Sequence, residues 1–127
     1  MPLTQIFLRS GKSPEHRQAI TESVQRALTE ALGVPAEERF QLITEFGKDN
    51  FIFDPSFKNI SRSQDLVMIV ITLKAGRPND LKKTLYQAIV AELGSRAQVR
   101  REDVLIVLHE NGPADWSFGD GRAQLLD

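Results

Sequence analysis

The feature that most constrains this chain is an order of elements that occurs twice. Leu3 to Arg9 sets Leu3, Gln5, Phe7 and Arg9 against Thr4, Ile6 and Leu8, with the two-residue period and β-branched, aromatic content of a strand. Ser13-Pro14-Glu15-His16 then opens a helix: Ser13 can cap it, Pro14 suits its first position, and Glu15 complements its positive end. Ile20, Val24, Ala27, Leu28 and Leu32 make one apolar stripe at helical spacing, and Gly33 followed by Pro35 is a stop. Phe40 to Phe46 is a second strand, with Phe40, Leu42, Thr44 and Phe46 on one face and Gln41, Ile43 and Glu45 on the other.

Residues 47–65 are polar and rich in turn formers, interrupted by Phe51-Ile52-Phe53, and are read as a connecting excursion with one short extended piece. The order then restarts. Leu66 to Leu73 is almost unbroken Val, Ile, Leu and Met, as in a strand covered on both faces. Asn79-Asp80 starts a second helix carrying Leu81, Leu85, Ala88, Ile89 and Leu93, with Gly94 as its predicted end. Arg96 to Arg101 is read as a solvated loop, Asp103 to His109 as a fourth strand, and the tail from Asn111 holds turn residues with Trp116 and Phe118.

A shift of 65 positions, without a gap, lays Leu8 on Leu73, Arg9 on Lys74, Gly11 on Gly76, Ile20 on Leu85, Val24 on Ile89, Leu28 on Leu93, Val34 on Val99 and Glu37 on Glu102. Each half is thus a β-α-β unit with parallel strands and a right-handed crossover. The predicted fold is α+β: two such units forming a four-stranded mixed sheet with both helices on one face. The whole chain, residues 1–127, is expected to be one domain, with halves at about 2–46 and 66–109 plus a tail. The other sheet face is partly apolar; unless the excursion and tail cover it, it calls for burial in an oligomer.

Composition narrows the function classes. An apolar fraction of 41% and a charged fraction of 26% are those of an ordinary globule. A net charge of −1 gives no general attraction for nucleic acid or anionic membranes. Without cysteine there are no disulfides or thiolate metal sites, and His16 and His109 are too few and too scattered for a metal centre. No apolar run approaches a membrane span and no signal-peptide stretch opens the chain. We therefore expect a small cytoplasmic protein with no metal and no cofactor.

Pro2 is the residue with the most chemistry. Met1 precedes a small residue, the setting in which aminopeptidases trim the initiator, so the mature chain is expected to begin at Pro2. An α-amino group titrates near about 7.7–8.0, and burial or neighbouring cations disfavour its charged form further. Such an amine takes and returns protons near neutrality. The plain alternative is a proline that merely begins a strand, where its missing N–H costs nothing.

A β-α-β duplication led by Pro2 resembles the tautomerase superfamily. Three stretches make it similar in particular to the malonate semialdehyde decarboxylase branch. Val34-Pro35-Ala36-Glu37-Glu38-Arg39-Phe40-Gln41 resembles that branch's loop into its second strand, with Glu38 where the branch has aspartate. Arg77, between strand and helix, matches the second of its two arginines, and Asp115-Trp116-Ser117-Phe118-Gly119 followed by Gly121, Ala123 and Gln124 matches its tail. The first arginine is missing, and Lys74 is the nearest cation. The resemblance implies an amino-terminal proline acting as acid or base, usually in a trimer, with the carboxylate assisting it and cations holding a substrate carboxylate.

On this reading Pro2, Arg77 and Glu38 are the candidate catalytic residues, and Lys74, Arg39, Phe118, Trp116 and Leu125 the candidate substrate-binding ones. Arg77 can clamp a carboxylate through two parallel hydrogen bonds, and its field favours a neutral amine and a developing enolate. The plain alternative is a solvated arginine at a helix start; a cation there gains nothing from the dipole, which tilts the balance modestly towards function. Lys74 offers only a point charge. Glu38 either orients a proton or is an exposed carboxylate, with Arg39 as its alternative salt-bridge partner. Trp116 is expected to anchor the tail, Phe118 to line a pocket, and Leu125 to be an apolar wall or ordinary tail packing. The expected activity is keto–enol tautomerisation of a small oxo acid. The alternatives are decarboxylation of malonate semialdehyde or a similar 3-oxo acid, or a non-catalytic trimeric scaffold.

Overall fold

Leu3–Arg9 (β1) pairs in parallel with Phe40–Phe46 (β2) and antiparallel with Val67–Lys74 (β3), which pairs in parallel with Val104–Asn111 (β4). The result is one mixed sheet in the order β2-β1-β3-β4, seen in a computed structural model that describes residues 1–127. Helices α1 (Pro14–Leu32) and α2 (Asn79–Ala97) both cross one face of it. Ile6 and Leu8 of β1, with Val67, Ile69, Ile71 and Leu73 of β3, pack against Ile20, Val24, Ala27 and Leu28 of α1 and Leu85, Ile89 and Leu93 of α2. Each fully buried aliphatic side chain there contributes roughly 1.5–3 kcal/mol, so the two central strands anchor the fold.

The first helix follows its local signals. Ser13 accepts a hydrogen bond from the His16 amide at 3.1 Å, and Gly33 closes the helix at φ 70°. The second departs from them. It runs through Gly94 to Ala97, with Gln98 in the left-handed conformation at φ 54°, because Ala97 and Val99 are buried and hold the last turn against the core. The predicted stop at Gly94 and the solvated loop over 96–101 are corrected accordingly. Val99 N–H donates to Leu93 O as Val34 N–H donates to Leu28 O, so burial imposes on Gln98 the closure that Gly33 adopts freely.

The 65-residue shift holds in three dimensions: Pro14–Leu32 lies on Asn79–Ala97, and Gly11 at φ 109° on Gly76 at φ 117°. It also carries past the strands. The 3-10 turn Lys48–Asn50 lies on Pro113–Asp115, and the ring pair Phe51 and Phe53 on Trp116 and Phe118. The excursion and the tail are therefore counterparts. Phe51-Ile52-Phe53 forms no strand; instead Phe51 is buried and stacks on Phe46 with ring centroids 5.8 Å apart.

The second sheet face stays open within one chain. Phe40 is 61% and Leu42 55% exposed, and Met68, Val70 and Thr72 of β3 are half-buried, so β3 is covered on its helix side alone.

Candidate functional site

The antiparallel β1–β3 pairing brings the start of the chain to the end of β3. Leu3 faces Thr72 where that pairing ends, with Met1 and Pro2 just before it on one strand and Leu73 and Lys74 just after it on the other. A cavity of about 370 Å³ opens at this corner, lined by Met1, Pro2, Leu3, Glu37, Glu38, Phe40, Trp116, Ser117 and Phe118. Pro2 is buried at its floor.

Glu38 is held by the turn before β2, in which its amide donates to Pro35 O at 3.1 Å. Its carboxylate Oε2 receives the Met1 ammonium at 2.9 Å, so the amino terminus and a carboxylate share the cavity mouth. Arg39 turns away from it. Its Nη1 donates to Glu22 Oε2 at 3.0 Å and its Nε to Gln41 Oε1 at 2.9 Å. The Arg39 hydrogen bond holds Glu22 below the usual carboxylate range. The expected alternative pairing of Arg39 with Glu38 is thus replaced by one with α1, because alternation into β2 sends the two side chains to opposite faces.

The aromatic wall comes from the tail. Leaving β4 at the far edge, the chain makes a turn in which Asp115 Oδ2 receives the Gly112 amide at 2.8 Å. It then returns over the strand ends to Pro2 and Phe40. Trp116 and Phe118 stack with centroids 5.6 Å apart, and Gln124 Oε1 receives the Phe118 amide at 3.0 Å. Both rings line the cavity, and Trp116 also anchors the tail through its indole N–H, which donates to Asn111 Oδ1 at 2.7 Å.

The cations lie at the same end of the sheet but outside the lining. Lys74 ends β3 and is exposed; Arg77 Nη1 donates to Lys74 O at 3.0 Å, and neither side chain makes an ion pair. Leu125 is half-buried in the tail and does not line the cavity. Phe40, Leu3, Glu37 and Ser117 also line the cavity, although the motifs that contain three of them single out other residues for the site. Phe40 had a signal, since a large apolar residue on the open face immediately follows the Glu38 loop. No group of three or more His, Asp or Glu side chains could hold a metal ion, and no helix is long and apolar enough to cross a membrane.

The corner thus combines an amine, a carboxylate, an aromatic wall and two unpaired cations nearby. Such a set can exchange a proton with a small anion. Two family models, each described as a tautomerase enzyme, match residues 2–59 and 38–119. A probable tautomerase of Bacillus subtilis (strain 168), YusQ, is 39% identical over 127 residues, all of both chains. A solved malonate semialdehyde decarboxylase inhibited by 3-bromopropiolate is 38% identical with a TM-score of 0.91, over 98% of this chain and 94% of that one. A second malonate semialdehyde decarboxylase, whose structure is described as a basis for decarboxylase and hydratase activities, is 27% identical with a TM-score of 0.92, over 98% and 95%.

Proposed function

The chain belongs to the tautomerase superfamily, and from that premise we propose that Pro2, made the amino terminus by loss of Met1, moves protons on a small oxo acid bound in this cavity. One observation carries the reading. The Met1 ammonium sits 2.9 Å from Glu38 at the cavity mouth, and removing one residue transfers that amine to Pro2, the buried residue on the cavity floor. The amine is then screened from water by Trp116, Phe118 and Phe40, which disfavours its charged form. Glu38 orients the proton that the ring nitrogen carries.

Arg77, aided by Lys74, holds the substrate carboxylate. Both are free of ion pairs, and Lys74 ends the strand that pairs with β1. In keto–enol tautomerisation the neutral amine accepts the enol O–H proton and the resulting ammonium returns a proton to carbon, which leaves charge and atoms balanced. Arg77 stabilises the enolate between the two transfers. No other group is needed, so tautomerisation is the least demanding activity these residues support. A second reading has a specific support: likeness to malonate semialdehyde decarboxylases at 38% and 27% identity along nearly the whole chain. There a protonated Pro2 polarises the substrate carbonyl while carbon dioxide leaves. The exposed Phe40 and Leu42 favour association through the open sheet face, and the assembly we propose is a homotrimer.

The test is the ultraviolet decay of phenylenolpyruvate with intact protein and with Pro2→Ala. We expect the variant to lose about 10²–10⁴ in kcat/KM, the usual scale of a positioned acid–base group. Equal rates eliminate Pro2 as the proton carrier. Carbon dioxide release from malonate semialdehyde then separates the two reactions.

A further inference from the structure

The cavity's aromatic wall and the nearby segment that carries the cations meet at one residue outside the lining. Asn111 is the last residue of β4, and its main chain is fixed by β3, where it pairs with Lys74 and accepts the Ala75 amide at 2.7 Å. Its carboxamide Oδ1 accepts the indole N–H of Trp116, five positions further along the chain, at 2.7 Å. The indole in turn stacks on Phe118 at 5.6 Å, and both rings bound the space over Pro2. On its other side, the Lys74 carbonyl receives Arg77 Nη1 at 3.0 Å. Asn111 therefore bridges the segment that carries the cations and the ring that closes the cavity.

A half-buried indole N–H needs an acceptor, and the one supplied here stands on the last residue of a strand. The repeat shows that this is not a general property of the position. The counterpart of Asn111 is Phe46, which meets Phe51, the counterpart of Trp116, by ring stacking at 5.8 Å. A stacked pair can slide; a 2.7 Å N–H···O bond fixes both the rotation and the depth of the indole. We propose that Asn111 is a positioning residue that sets the width of the substrate cavity by pinning Trp116, and so tunes which oxo acids fit between that ring and the cations. It touches no substrate itself. The inference rests on the reading of this cavity as the substrate site, and its test has an arm independent of turnover.

Trp116 is the chain's one tryptophan, so its fluorescence reports on the cavity wall alone. Asn111→Leu keeps the side-chain size and removes the acceptor; Asn111→Asp keeps the acceptor. We expect Asn111→Leu to change the emission maximum and raise acrylamide quenching by about twofold or more, with Asn111→Asp restoring quenching to that of the parent. Towards phenylenolpyruvate, Asn111→Leu should raise KM about three- to tenfold with kcat little changed, as expected for loss of one binding-geometry hydrogen bond. Unchanged emission, quenching and KM in Asn111→Leu overturn the proposal, as does an Asn111→Asp protein quenched as strongly as Asn111→Leu. If Asn111→Leu does not fold, Trp116→Phe removes the same N–H from the other side; an unaltered KM in that variant overturns the proposal equally. Absence of all turnover in the parent protein refutes the function and leaves the fluorescence arm to decide the positioning.

Discussion

At one end of the sheet Glu38 meets a chain terminus; at the other its repeat counterpart, Asp103, meets a chain that runs on. Asp103 is 1% exposed and accepts the Ser63 amide at 2.7 Å and the Ser63 hydroxyl at 2.6 Å, with Arg100 Nη1 at 4.0 Å. Glu38, 35% exposed, has only the terminal ammonium. The cations divide in the same way. Lys12, the counterpart of Arg77, is paired with Asp65 at 2.6 Å. Arg9, the counterpart of Lys74, donates to Phe51 O at 3.1 Å and lies 5.4 Å from the Phe53 ring centroid. Arg77 and Lys74 have no carboxylate and no ring. A duplicated β-α-β fold makes two like corners. The one crossed by continuous chain gives most of its charged groups internal partners, Arg9 Nε excepted, and the one at the terminus leaves Arg77 and Lys74 without any, as the proposed ligand site requires.

This contrast can be broken by treating counterparts alike. Arg77→Ala should lower kcat/KM for an enol acid about 100-fold, the scale of losing a charge-assisted pair, whereas Lys12→Ala should stay within about twofold. Comparable losses in the two variants would end the assignment of Arg77 to the site. Asp103→Ala should lower unfolding free energy by about 1–3 kcal/mol in urea titration, since it leaves two half-buried Ser63 donors unpaired. Glu38→Ala should lower it by less than about 1 kcal/mol, being a half-exposed ion pair, while cutting activity roughly tenfold. A stability loss for Glu38→Ala equal to that of Asp103→Ala would make both carboxylates structural. The smallest effect tests the helix ends: Gln98→Gly should stabilise by roughly 0.5–1 kcal/mol, because a left-handed position strains any side chain and Gly33 shows what its counterpart prefers.

Much of the fold was legible because it rests on periodicity. The alternation in Leu3–Arg9 and Phe40–Phe46, the stripe in α1 and the 65-residue shift were enough to place four strands and two helices. At the end of α2 two signals disagree: Gly94 is a local stop, whereas the shift applied to Gly33 points to Gln98, and burial of Ala97 and Val99 carries the helix to the latter. The cavity was legible where motifs were long, as in the tail around Trp116 and Phe118. It was opaque where side-chain direction decides. Nothing in Glu38-Arg39 reveals that one turns to the terminus and the other to Glu22, and nothing in Asn111 announces an indole five residues on.

The central claim is that the amine at the open corner belongs to Pro2. Intact-mass spectrometry of the native protein tests it most directly. A mass lower than the full sequence by one methionine residue is the predicted result; a native, active protein that retains Met1, with its ammonium on Glu38, would contradict the account.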